Sequence, residues 1–141
     1  MGCEFMKIVR VFFAIAAVSV GLTACQTTKE AKNMAALDVD FSWAGTKACS
    51  SQPPEITVSG IPAGTKTLHV KLKDLNVPGY NHGGGTVDYN GGHVIPAGAF
   101  VYKGPCPPSG SHDYRFTVEA ISADGQMILG RGSSTEAFPP K

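Results

Sequence analysis

Short runs that alternate apolar and polar residues, each cut off by glycine or proline, constrain this chain more than any other feature. From His112 to Ile121, an extended backbone places His112, Tyr114, Phe116, Val118 and Ala120 on one side. Asp113, Arg115, Thr117 and Glu119 fall on the other. Successive strand side chains point to opposite faces, so this period of two predicts a half-buried strand. Leu68, Val70 and Leu72 repeat the pattern against Thr67, His69, Lys71 and Lys73, as do Val39, Phe41 and Trp43 against Asp38, Asp40 and Ser42. Ile56 and Val58 form a shorter row, and Gln126 to Leu129 predicts a weaker last strand. Between the runs lie breakers: Ser59 to Gly64, Val77-Pro78-Gly79, Gly83-Gly84-Gly85, Asn90-Gly91-Gly92 and Gly104 to Gly110. No long helical period follows residue 36, and no segment repeats. The 141 residues leave room for one domain. Many short strands with turns between them predict an all-β sandwich.

The N-terminus reads as a processing signal rather than as part of the fold. Lys7 and Arg10 precede an apolar stretch from Val11 to Leu22, interrupted only by Ser19. Such a stretch is shorter than the ~20 residues a membrane-spanning helix needs, and it fits the core of a secretory signal. Leu22-Thr23-Ala24-Cys25 then resembles the bacterial lipobox, in which the cysteine thiol is acylated and the preceding segment removed. The expected organisation is therefore a lipoprotein signal peptide over 1–24, a polar tether over 25–36 and a β domain over 37–141. Met6 serves as well as Met1 as a start, because residues 1–5 add nothing that a signal needs. The expected location is the cell envelope, lipid-anchored and facing the periplasm.

Cleavage would remove Lys7, Arg10 and Glu4 and leave ten basic and ten acidic side chains. A formally neutral domain gives no support to a basic patch for nucleic acid or anionic lipid. Of the cysteines, Cys49 and Cys106 remain once Cys25 is acylated and Cys3 is lost. In an oxidising exported compartment they form either one disulfide or two buried thiols. No spacing resembles a metal site, and no cofactor is implied.

Polar groups on two of the apolar rows mark the candidate site. Asp74 has the parity of Leu68, Val70 and Leu72, so its carboxylate emerges at the end of the core-facing row. His112 and Tyr114 open the row that continues as Phe116 and Val118. A carboxylate, an imidazole and a phenol meeting at one mouth of a sandwich would line a small polar cavity able to hydrogen-bond a head group. The Pro-rich loop Gly104-Pro105-Cys106-Pro107-Pro108-Ser109-Gly110 cannot join a ladder and must be a fixed loop. His69 and Trp43 are read as a solvated and a core residue, and Gly83-Gly84-Gly85 as no phosphate loop, since no helix follows it.

Three segments carry a resemblance. GPCPPSGSHDYRFTVEA (104–120), PPEITVSGIPAGTKTLHVKLKDLNVP (53–78) and Thr86 to Asn90, followed by Ile95-Pro96-Ala97-Gly98, stand in the order of the corresponding signatures of the phosphatidylethanolamine-binding family. The bacterial branch of this family, the Raf-kinase-inhibitor-like group, is the nearest in pattern. The resemblance runs from about Phe41 to Ala120. It implies a Greek-key β-sandwich, here lacking the family's C-terminal helix, with an anion pocket at one end and no established catalysis. Carried over, the pocket is Asp74, His112 and Tyr114, with Gly104 and Pro105 in its wall. The chain departs from the pattern at Asn76 (Asp in the family), Asp113 (Arg) and Gly85-Thr86 (His-Trp). His82 is the candidate to take the place of the missing His.

Two functions follow as expectations. The first is an envelope lipoprotein binding a small anionic or zwitterionic ligand such as a phospholipid head group. The second is a protein-interaction or inhibitor module with a vestigial pocket. A hydrolase is not expected, because no nucleophile stands with a base and an orienting group.

Overall fold

The computed structural model describes residues 28–140, so the signal segment and Cys25 lie outside the described residues. Eight strands follow in order: β1 (Lys29–Ala36), β2 (Asp38–Phe41), β3 (Ile56–Ser59), β4 (Thr65–Asp74), β5 (Gly84–Asp88), β6 (Val94–Ile95), β7 (His112–Ser122) and β8 (Met127–Phe138). They form a five-stranded sheet in the order β1-β8-β7-β4-β5 and a three-stranded sheet in the order β2-β3-β6. The chain therefore passes repeatedly from one layer to the other. All neighbours are antiparallel except β1 and β8, which run parallel. The all-β sandwich expected from the alternation is the fold, and every element among the described residues is a strand.

The alternating rows meet between the sheets as predicted. Val39, Phe41, Ile56, Val58, Leu68, Val70, Leu72, Phe116 and Val118 are buried in one cluster with Trp43, Tyr114 and Phe138. Phe41 contacts Trp43 and Phe116 edge-on, with ring centroids 4.9 and 4.8 Å apart. Such edge-to-face pairs favour the rings beyond simple burial. Trp43 belongs to this core, and its Nε1 donates to the Glu136 carbonyl at 3.3 Å.

Two expectations need correction. Residues 29–36, read as part of a polar tether, form β1 instead, an edge strand whose side chains are mostly exposed or half-exposed. Its alternation is weak because it lies at the sheet margin and its register with β8 shifts between Glu30 and Ala35. The last strand does not end at Leu129 but runs to Phe138. Its inward positions Gly130 and Gly132 carry no apolar side chain, because Leu37 fills that space. A Cβ on Gly132 would run into the Leu37 carbonyl oxygen, and one on Gly130 would lie 2.9 Å from Leu37 Cδ2. The apolar row has been handed to a residue on another part of the chain.

Candidate ligand site

β4 and β7 are antiparallel neighbours, and their register places Asp74 opposite Tyr114. Both rows thus end together at one end of the sandwich, where His112 begins β7. His112 Nδ1 donates to Asp74 Oδ2 at 2.8 Å. The other carboxylate oxygen accepts backbone N–H groups from Asn76 at 2.8 Å and Val77 at 3.0 Å. An aspartate that bonds the backbone two residues ahead closes a turn, which is why β4 stops at this residue. Asn76 ties the same turn to β7 by accepting the Asp113 N–H at 2.8 Å through its side-chain oxygen.

These contacts set the protonation states. Burial by itself raises the Asp74 pKa, but the hydrogen bonds from His112 and from the Val77 and Asn76 N–H groups outweigh it. The carboxyl is held below its ordinary 3.8 and stays ionised. Burial, then the charge of Asp74 and a hydrogen bond to it, pushes the Tyr114 phenol up to about 12, while a bond with the Cys106 backbone acts the other way. Tyr114 therefore remains a neutral donor. With Nδ1 of His112 committed to Asp74, Nε2 is the ring atom left to address solvent.

His82 lies beside this group. Its ring meets that of Tyr114 edge-on at 5.4 Å, and its Nδ1 donates to the Lys103 carbonyl at 2.5 Å. On its far side Tyr80 packs at 4.6 Å, with the Lys103 ammonium 5.8 Å from the Tyr80 ring centre. Gly104 and Pro105 are buried in the wall between, and Gly104 N–H donates to the Ser50 carbonyl at 2.9 Å. The six sequence-predicted residues thus fall in one neighbourhood. Tyr80 and Lys103 were missed, because neither stands on an alternating row. The loop return that brings them there is held by two bonds between His82 and Lys103, the Lys103 N–H to the His82 carbonyl and His82 Nδ1 to the Lys103 carbonyl.

The expected open cavity is not formed by the trio. Tyr114 is 1% exposed and Asp74 3%, and only the edge of His112 reaches water. Both Asp74 carboxylate oxygens and His112 Nδ1 are spent on one another and on the turn. The adjacent depression, about 290 Å³, is lined by Asn81, His82, Gly83, Val101, Tyr102 and Lys103. It touches the group only through His82. Tyr102 is a further buried residue that the sequence did not reveal. Its ring stacks on Phe116, its hydroxyl has no hydrogen-bond partner among the described residues, and burial raises its pKa well above the ordinary value.

Of the two alternatives for the cysteines, the disulfide is the one formed. Cys49 and Cys106 are bridged with Cα atoms 4.6 Å apart, inside the range a disulfide needs. Three backbone bonds run beside it: Cys49 N–H to the Pro105 carbonyl at 2.7 Å, Gly104 to Ser50 at 2.9 Å and Tyr102 to Ser51 at 3.1 Å. The wall of the site is thereby fastened to the loop that follows Trp43.

No protein-family model matches the chain, and no curated protein matches it in sequence. Solved structures do. E. coli YbcL, a member of the mammalian phosphatidylethanolamine-binding protein family, superposes with a TM-score of 0.51 at 19% identity, over 64% of this chain and 82% of its own. A phosphatidylethanolamine-binding protein homologue from Chlamydia trachomatis gives 0.54 at 16% identity, over 77% and 99%. At such identities the likeness is one of architecture. The chain has the fold of the phosphatidylethanolamine-binding proteins, and no helix occurs among the described residues.

Proposed function

We propose that this protein is an envelope lipoprotein, acylated at Cys25, whose β domain binds a small anionic or zwitterionic head group at the Asp74–His112 end. The Asp74–His112 pair carries the reading: two strands far apart in sequence deliver an ionised carboxylate and an imidazole to one end of the sandwich. The shared architecture with phosphatidylethanolamine-binding proteins supplies the ligand class. An ionised Asp74 repels a bare anion, so a ligand that also offers an amine or hydroxyl suits the pair better than phosphate. No catalysis is proposed. The Nδ1 atoms of His112 and His82 are occupied by Asp74 and a carbonyl, and among the described residues no hydroxyl or thiol nucleophile is paired with either ring.

Calorimetric titration with phosphoethanolamine and with phosphate, at about pH 5.5 and about pH 7.5 on either side of the usual histidine range, tests the site. Heat is expected with phosphoethanolamine, stronger than with phosphate and reduced in His112→Ala. Equal heats for wild type and variant would remove His112 from the site. The anchor is tested separately: Cys25→Ser should shift the protein from the detergent-extracted to the soluble envelope fraction or block its processing. Unchanged membrane fractionation would overturn the acylation.

A second reading has its own support. Asp74 and Tyr114 are buried, while Val77, Tyr80 and Val101 are large apolar residues left exposed. Tyr80 packs on His82, and Val101 lines the depression beside it. Exposed apolar residues mark protein-interaction surfaces where they join into one patch. Absence of heat with every small ligand would favour an interaction or inhibitor module.

A further inference from the structure

The formally neutral domain separates its charge between the two outer faces of the sandwich. Outward positions of the five-stranded sheet carry Lys71, Lys73 and Arg115, all exposed and none in an ion pair among the described residues. Lys73 and Arg115 stand directly opposite one another across β4 and β7, an arrangement that costs a sheet stability. Arg115 is laid along the sheet by donating from Nε to Thr135 Oγ1 at 3.2 Å. The strands of this sheet also carry Lys29, Glu30 and Lys32 on β1, Lys66 on β4, Asp88 on β5, Asp113 and Glu119 on β7 and Arg131 and Glu136 on β8, so, the buried Asp74 aside, its cations exceed its acids by two. Arg131 pairs with both Glu30 and Glu119, His69 stands opposite Glu119, Asp113 adjoins Arg115 at one end, and Asp88 lies at the other end of β5. Outward positions of the three-stranded sheet are acidic instead. Asp38 and Asp40 on β2 and Glu55 just before β3 are exposed, also without ion pairs among the described residues.

The segment leading to Cys25 enters through β1, which belongs to the cationic sheet. Lys29 pairs with Met127 at the start of β8, whereas His112 pairs with Phe138 at its end. The start of β1 and the Asp74–His112 group are therefore at opposite ends of the sandwich, roughly 36 Å apart at about 3.3 Å per residue. Only Gln26, Thr27 and Thr28 separate Cys25 from Lys29, a reach of about 14 Å at most. An upright domain would hold its site far above the surface that anchors it. A domain lying on its five-stranded sheet would bring both ends to that surface.

We propose that the outer face of the five-stranded sheet, through Lys71, Lys73 and Arg115, docks on an anionic phospholipid bilayer, with the acidic face turned away. The proposal rests on the anchored head-group reading for its choice of a bilayer over another polyanion. Each Lys or Arg at an anionic membrane surface adds about a fivefold preference. Three make a weak contact alone and a lasting one for a domain that is already tethered.

Lysine acylation footprinting of the full mature protein tests this, on phosphatidylcholine vesicles and on vesicles that also contain phosphatidylglycerol. With phosphatidylglycerol, Lys71 and Lys73 should lose labelling about fivefold, with Lys47, in the groove beside Asp40 and Glu55, as the unprotected control. High salt should restore labelling, and Lys73→Glu with Arg115→Glu should abolish the protection of Lys71. Equal labelling of Lys71 and Lys73 on both vesicles would overturn the proposal. So would protection without vesicles that grows with protein concentration, which would mean that copies stack cationic face on acidic face. The mass of the Cys25 peptide in the same digest shows whether the anchor is present, so failure of the anchoring reading is seen apart from failure of the docking.

Discussion

Asp74→Ala is expected to lower the unfolding free energy by about 2–3 kcal/mol, the upper part of the range for buried groups left without partners. Three donors lose their acceptor at once: His112 Nδ1 and the N–H groups of Asn76 and Val77. Asp74→Asn keeps an acceptor oxygen for the turn and should lose less. The pH dependence follows from the direction of the Asp74 shift. Its folded pKa lies below the ordinary carboxylate value, so the native state holds this proton less tightly than the unfolded chain. The stability that Asp74 contributes is complete above about pH 4 and drains away as pH falls through the depressed folded value. Denaturant midpoints of wild type and Asp74→Ala should therefore converge in acid. A constant gap from neutral pH down to acid would show that the carboxylate's charge has no part in holding the turn.

Removing the disulfide should cost about 4 kcal/mol in the chain-entropy model, given the loop it closes. Cys49 and Cys106 are 57 residues apart in sequence, and between them run β3 to β6. The three backbone bonds alongside the bridge need no sulfur, so Cys49→Ser with Cys106→Ser should still fold with Gly104 and Pro105 in place. The loss is then felt through the freedom regained by the unfolded chain. Urea unfolding of the double variant measures it, with alkylation mass spectrometry of the wild type confirming that no free thiols are present. A loss of under about 1 kcal/mol would mean that the unfolded chain is already compact in this region.

How much was legible depends on where each residue finds its partners. Leu68 to Asp74 and His112 to Ala120 were readable because both rows face one core and keep strict alternation, which also put Asp74, His112 and Tyr114 at one end. β1 was unreadable because an edge strand has little to bury. The second half of β8 was unreadable because Leu37, from outside the strand, occupies the space over Gly130 and Gly132. The meeting of the six site residues could be anticipated from parity and resemblance, but their closure could not. Whether a carboxylate lines a cavity or is consumed by its own turn depends on backbone N–H groups that every sequence possesses. Tyr80 and Lys103 reach the site through loop geometry, on which hydrophobic periodicity is silent.

The parallel pairing of β1 with β8 decides how the domain bears a pull. Under the proposed anchoring at Cys25 and ligand binding at the other end, tension would run along the strands. β1 is then dragged lengthwise against β8, and its hydrogen bonds are strained together rather than peeled off in turn. Arg131, gripping Glu30 on β1 and Glu119 on β7, resists the same sliding. An antiparallel first strand, entering at the other end, would instead be opened like a zipper. A strand that looked like a slack leash in the sequence is placed to work as a strain relief, passing force to the middle of the sheet while the ligand end keeps its shape.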